Sequence, residues 1–103
     1  MWLIMIIEQI ELKNETFLGI KIEMGNAPLI LIKGKKGFIM CGYLNIEASS
    51  NLGDIAGKIK GVKDFKDMLE SKVVEVTEKA KKFGLNPGIT GKEFLERLGD
   101  INE

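Results

Sequence analysis

Two short segments that are apolar without interruption, LILI at 29–32 and FIMC at 38–41, constrain this chain more than anything else in it. A strand with alternating residues leaves one face wet, whereas an unbroken apolar run has to be covered on both faces. The loop between them, Lys33-Gly34-Lys35-Lys36-Gly37, carries glycines able to take positive φ and lysines that hold it in water, so the two runs read as a β-hairpin. With 103 residues there is material for about one domain. Helices of the same chain cover one side of such a hairpin. The second side needs another sheet, the N-terminal strands or a second subunit.

The surrounding pattern divides near Asn45. From Met1 to Tyr43 short apolar runs alternate with polar or glycine punctuation, and from Asn45 onward apolar residues recur at three- and four-residue spacing. Strands are expected over Leu3 to Leu12 and Phe17 to Met24, with Asn14 and Glu15 turning the chain between them. In the second strand Leu18, Ile20, Ile22 and Met24 share one parity and are expected to be the buried face. Phe17, Gly19, Lys21 and Glu23 form the partly wet face. Gly25-Asn26 marks a turn before Pro28, and the second hairpin strand is expected over 38–44.

Beyond that point Asn45 is placed to cap a helix carrying Ile46, Leu52, Ile55, Ala56 and Ile59 and ending at Gly57 or Gly61. Asp64 caps a short helix with Phe65, Met68 and Leu69. Val73, Val76, Ala80 and Phe83 suggest a further helix closed by Gly84. KVVEV at 72–76 also reads as a strand, but the i,i+4 pairs Glu75 with Lys79 and Glu78 with Lys82 favour helix. Pro87-Gly88 marks a loop, and Thr90 with Glu93 forms a capping-box signature ahead of Phe94, Leu95, Leu98 and Ile101. The expected fold is therefore α+β, an N-terminal antiparallel or mixed β-sheet with C-terminal helices packed against it. It forms a single domain over 1–103 with a strand-rich half at 1–44 and a helical half at 45–103.

The segment APLILIKGKKGFIMCGYLNIEASSNLGD, from Ala27 to Asp54, resembles the signature part of the YunC-like domains, a small bacterial and archaeal family of unknown function. The later stretch VKDFKDMLESKVVEVTEKAKKFGLNPGITGKEFLERL is also similar to the family's pattern. The resemblance implies that the N-terminal strands act as a tetramerisation region. It supplies no catalytic residue, cofactor or substrate.

Fifteen basic and fifteen acidic residues cancel, leaving no long-range attraction for nucleic acid or an anionic membrane. No histidine is present, which excludes Ser-His-Asp and Cys-His designs and histidine-bearing zinc sites supplied by this chain. The apolar start MWLIMII lacks a basic flank and is far short of the roughly 20 residues that cross a bilayer. The single cysteine, Cys41, agrees with a reducing compartment, and a soluble cytoplasmic protein is expected.

Candidate chemistry gathers at few places, each with a plainer reading beside it. Cys41, Tyr43 and Asn45 would meet the amides of the helix that follows, a place for an anion or small metabolite. A buried thiol also packs simply as a small hydrophobe. Lys33, Lys35 and Lys36 offer phosphate contacts, yet they also make an ordinary solvated turn, without interleaved aromatics and without Walker A spacing; GITGKEF at 88–94 lacks that spacing too. Asp64, Asp67 and Glu70 could hold a cation but read as a solvated helix face. Glu8, Glu11, Glu15 and Glu23 have no readable separation, and Trp2, Phe17, Phe38 and Tyr43 suit core or interface packing. The sequence assigns no catalytic, cofactor-binding or metal residue. Its leading expectation is a homo-oligomer, a homotetramer by the resemblance, with a structural, regulatory or ligand-sensing role. A small-molecule enzyme near Cys41 is the alternative, and nucleic-acid binding through the lysines comes last.

Overall fold

The computed structural model describes residues 5–13 and 15–101, so Trp2 and Asn14 lie outside the described residues. The chain starts as a meander: β1 (Met5–Leu12), β2 (Glu15–Glu23), β3 (Pro28–Lys33) and β4 (Phe38–Met40), each antiparallel to the one before. A crossover through α1 (Ile46–Asn51) then brings β5 (Ala56–Lys58) alongside β4 in parallel. After α2 (Phe65–Glu70), β6 (Glu75–Val76) pairs antiparallel with β5. Helices α3 (Glu78–Lys82) and α4 (Gly91–Leu98) follow. The result is one six-stranded mixed sheet in sequential order β1-β2-β3-β4-β5-β6, an α+β architecture in which helices pack on the sheet.

The ladder register sorts side chains onto two faces. Phe17 and Gly19 align with Ile10 and Glu8 on one side and, through Gly19, with Ile32, Ile39, Gly57 and Val76 across the sheet. This is the helix-covered face. A Cβ built on Gly19 would lie 2.8 Å from the Phe65 ring, and one on Gly57 would lie 3.0 Å from the Phe94 ring, so α2 and α4 are seated against bare backbone. Phe94, Leu95 and Leu98 of α4 are all buried in this core with Ile30, Ile32, Ile39 and Met68. Each such side chain contributes about 2 kcal/mol by leaving water.

Several expectations are corrected. The apolar row of β2 faces the other way: Phe17 and Gly19 are buried under the helices, whereas Leu18 is exposed and Ile20 and Ile22 are only half-buried. The strand expected over 38–44 stops at Met40, where Leu44 N–H donates to Cys41 O (3.2 Å) and turns the chain. The helix capped by Asn45 ends at Asn51, because Gly53 takes a φ of 83° and Ile55 to Ile59 run as an edge-to-edge partner of β4. There Ile59 N–H donates to Met40 O at 2.9 Å. The helical reading of 72–76 also fails, since Val74 N–H donates to Lys58 O (2.8 Å), Thr77 N–H to Ala56 O (3.0 Å) and Val73 N–H to Ile89 O (2.8 Å). With these donors claimed by neighbouring segments and three β-branched valines stiff at χ1, an extended backbone wins, and α3 starts only after the Thr77 cap. The half read as helical, with 72–76 as its one stretch that also reads as a strand, therefore contributes two strands.

The cap residues stand where their local pattern places them. Asn45, Asp64 and Thr90 each cap their helix, and Gly84 closes α3 with a φ of 81° while Leu85 N–H reaches back to Ala80 O (3.0 Å). Glu93 N–H donates to Thr90 Oγ1 at 3.1 Å, but the Glu93 carboxylate turns to Arg97 (3.4 Å), so only half of the capping box forms.

Candidate functional site

Cys41 follows the last residue of β4, and its sulfur takes part in the ladder. Cys41 N–H donates to Ile30 O (3.1 Å), and Ile30 N–H donates to Cys41 Sγ (3.3 Å), so a thiol stands where a main-chain carbonyl would normally accept. Only 3% of the residue is exposed. Tyr43, by contrast, is 48% exposed, and its hydroxyl donates to Ala27 O at 3.2 Å, tying the turn after β4 to the start of β3. Asn45 Oδ1 accepts from Glu47 N–H (2.8 Å) and Ala48 N–H (3.3 Å). The amides expected to greet an anion are thus already occupied by the cap itself.

The structure brings Cys41 and Tyr43 together but leaves Asn45 out. A recess of about 260 Å³ opens beside them, lined by Ala27, Pro28, Cys41, Gly42, Tyr43, Gly61 and Val62. Sequence reasoning missed Ala27, Pro28, Gly61 and Val62. Ala27 and Pro28 arrive with the start of β3, which pairs antiparallel with β4, whereas Gly61 and Val62 arrive because β5 lies parallel to β4, carrying the 59–62 segment to the same end of the sheet as the 41–43 turn.

The lysine turn is tied into the main chain. Lys33 Nζ donates to Gly34 O (3.2 Å), Lys36 Nζ donates to Ile101 O, and the backbone N–H of Lys35 donates to Glu15 Oε2 (3.1 Å). The three lysines share a second recess with Asp54 and Lys79. Gly34 and Gly37 are there for space: a Cβ on Gly34 would meet the Phe17 ring at 2.5 Å, and one on Gly37 would meet Ile55 O at 2.2 Å.

The carboxylates are dispersed. Asp64 Oδ1 caps α2 through Asp67 N–H (2.8 Å), while Asp67 accepts from Lys63 N–H (3.0 Å) and from the Ser71 hydroxyl (3.4 Å). Glu15 and Glu23 occupy opposite ends of β2, roughly 26 Å apart at strand rise, and Glu23 pairs with Lys21 at 3.5 Å. Among the described residues no group of three or more Cys, Asp or Glu side chains converges in a way that could hold a metal ion. The aromatic set divides as well, Phe17 in the core, Phe38 on the opposite face and Tyr43 at the recess.

The largest unsatisfied feature is the face of β1–β3 turned away from α2 and α4. Ile7, Leu18, Ile20, Ile22, Leu29 and Leu31 stand on it in register, and Ile7 is 60% exposed. Three strands at 4.8 Å spacing and about six residues of length give a flat area on the order of 300 Å², the size of the largest apolar patch on a typical monomer. At its β4–β5 end this face is closed, since Met40 and Ala56 are buried beside α1. Beyond β4 nothing among the described residues covers it. Strand β1 is also an edge, eight residues long, whose outer side meets no other strand among the described residues.

These features describe a small mixed-sheet domain that presents an open apolar sheet face and a shallow end recess, with no histidine chemistry of its own. The chain belongs to the family described as a domain of unknown function (DUF1805), whose model matches residues 40–98, from β4 to the end of α4. It is 25% identical over 93 residues to the uncharacterized protein YunC of Bacillus subtilis, covering 86% of this chain and 92% of that protein. It is also similar to a crystal structure of a protein of unknown function from Thermoplasma acidophilum, with 46% identity, 94% and 95% coverage of the two chains and a TM-score of 0.90. The YunC-like resemblance read from Ala27 to Asp54 is therefore a family relationship. The biochemical function is unknown for this chain as for these relatives. Among the described residues, no helix is long and apolar enough to cross a membrane.

Proposed function

We propose that this chain works as a homo-oligomeric, non-catalytic domain in a structural, regulatory or ligand-sensing role, with subunits meeting through the open face of β1–β3. The observation that carries the reading is the apolar row Leu18, Ile20 and Ile22, left half-buried or exposed while the chain's own core lies on the other side of the same strand. A flat face on the order of 300 Å² is less than the roughly 800 Å² per partner that stable complexes bury. The free β1 edge supplies a second, separate surface. Two different self-complementary surfaces on one protomer generate a tetramer with dihedral symmetry, which accords with the homotetramer implied by the family resemblance.

A thiol enzyme at Cys41 has less support, because the sulfur is buried and engaged by Ile30 N–H, and no histidine is present to activate it. The Cys41 thiol, unpaired, is compatible with a cytoplasmic setting. Light scattering on the eluting protein at micromolar concentration tests the proposal. The expected mass is four times the 11.5 kDa of the protomer, and a strictly monomeric species overturns the reading.

A further inference from the structure

The recess lined by Cys41, Tyr43 and Val62 occupies a particular place in the topology. Strands β4 and β5 are the parallel pair of the sheet, and both end at this recess. The chain leaving β4 turns into α1, which lies on the side where Met40 and Ala56 are closed off. The chain leaving β5 turns into α2, whose Phe65 packs over Gly19 on the opposite side. Neighbouring parallel strands whose connections depart to opposite faces leave a crevice between them at their carboxyl ends. In α/β sheets that crevice is where ligands bind.

We propose that this recess is a binding site for a small, neutral, planar molecule of one or two fused rings that carries a carbonyl or ring nitrogen. Size sets the first limit. The recess, about 260 Å³, is larger than a cavity of roughly 150 Å³ that takes benzene and smaller than the roughly 300 Å³ at which drug-sized sites begin. Polarity sets the second: Pro28, Val62, Ala27 and the Tyr43 ring provide apolar walls, and no charged side chain belongs to the lining. No cationic side chain in the lining offsets the cost of desolvating an anion, so a neutral ring is favoured over a charged one, which departs from the reading of Asn45 and the α1 amides as an anion site.

Hydrogen bonding sets the third limit. In the turn after β4, Cys41 N–H is bound to Ile30 O and Leu44 N–H to Cys41 O. The N–H groups of Gly42 and Tyr43 have no acceptor among the described residues, so two donors remain on residues that line the recess. A flat ring stacked on Tyr43 with an acceptor toward these amides satisfies both the apolar wall and the donors. The Tyr43 hydroxyl is already held by Ala27 O, which fixes the ring as one wall. None of this depends on how subunits assemble, so the site stands or falls separately from the oligomer.

Amide-resolved NMR titration of the full chain tests it, with nicotinamide and uracil as neutral probes and nicotinate as the charged counterpart of the first. Saturable shifts are expected at Gly42, Tyr43, Gly61 and Val62 with dissociation constants in the millimolar range or tighter for a neutral probe, and at least tenfold weaker binding of nicotinate. Two variants plug the recess from positions that tolerate a side chain. Ala27 is exposed, and a Cβ on Gly42 meets only Lys60 Cγ at 3.8 Å. Ala27→Trp and Gly42→Leu should each keep a dispersed spectrum and lose the response. The proposal is overturned by no saturable shift at these amides with either neutral probe up to about 10 mM. It is equally overturned by nicotinate binding as well as nicotinamide, or by a response that persists in both plugged variants.

Discussion

Replacing Ile20 by lysine puts the two faces of β2 to a direct test. Ile20 lies mid-strand, paired with Ile7 on one side and Leu31 on the other, on the face that no element among the described residues covers. In a lone protomer the lysine stem lies over its neighbours while the ammonium reaches water, a change within about 0.5 kcal/mol, as for other surface substitutions. Ile20 is already half-buried in the lone protomer, so in an assembly closed by this face each subunit loses about 1 kcal/mol of further apolar burial. A twofold interface counts the loss twice, so association weakens by about 2 kcal/mol, or roughly thirtyfold in dissociation constant, before any cost of burying the charge.

The matched substitution is Ile30→Lys. Ile30 is 0% exposed and stands on the helix-covered face of the adjacent strand. An ammonium placed there costs several kcal/mol, a large share of the 5–15 kcal/mol by which domains are usually stable. The core that Ile30 joins lies wholly within one protomer, so a subunit released by Ile20→Lys should keep its fold. Light scattering and thermal melts followed by circular dichroism, run side by side, are expected to show Ile20→Lys folded but smaller in mass and Ile30→Lys unfolded or nearly so. If Ile20→Lys unfolds as Ile30→Lys does, the assignment of faces is wrong. If it keeps the wild-type assembly, the open face is not the interface.

The other expectations concern the frame that holds the recess and the sheet. Thr77 is 1% exposed, and its Oγ1 accepts from Ala56 N–H (3.1 Å) and Ala80 N–H (3.3 Å). Thr77→Val strands both donors and should lower stability in denaturant titration by about 1–3 kcal/mol, while Thr77→Ser should recover most of it; equal losses would remove the hydroxyl from the account. A Cβ on Gly91 would lie 2.3 Å from Met68 O, so Gly91→Ala has to separate α2 from α4 and should cost about 3 kcal/mol, against under 0.5 kcal/mol for Gly42→Ala at the open turn; the reverse ranking would refute this packing. Cys41 should react with an aromatic disulfide reagent only slowly until the chain is unfolded. Cys41→Ala should cost about 1–2 kcal/mol because Ile30 N–H loses its acceptor, and rapid labelling of the native protein would show the sulfur to be open.

What could be read along the chain was whatever a segment decides within a few residues of itself. Asn45, Asp64 and Thr90 cap their helices through side-chain oxygens that reach amides two or three positions ahead, and such geometry needs no distant partner. The hairpin between β3 and β4 is equally local. Ala56–Lys58 and Glu75–Val76 are different, because three and two residues carry no period of their own. Their state is decided by backbone acceptors elsewhere: Met40 O takes Ile59 N–H, and Lys58 O and Ala56 O take Val74 N–H and Thr77 N–H. Since β5 brings Gly61 and Val62 to the recess by joining β4 in parallel, these two of its seven lining residues were hidden with it. Cys41 and Tyr43 were within reach of sequence reasoning, and Gly61 and Val62 were not.

The inverted face of β2 has a more general cause. Hydrophobic alternation reports that a row of side chains is to be covered, without saying by what, and Leu18, Ile20 and Ile22 form the cleaner row. A helix packed on a sheet is a cylinder whose aromatic side chains must reach close to the strands, and it needs a notch in the row beneath it. Gly19 supplies that notch for Phe65, and Gly57, on the same face three strands away, supplies it for Phe94. Both glycines interrupt the hydrophobic pattern of the face that is actually buried. The row without a notch is the one that no helix of this chain approaches. Two flat, uniformly branched faces can meet at the usual sheet spacing of about 10 Å without any such accommodation, and this is the geometry a second copy of the same face would bring. In a small sheet with helices on one side, a glycine opposite an aromatic therefore marks the intramolecular face better than apolar content does, and the unbroken row is the place to look for a partner.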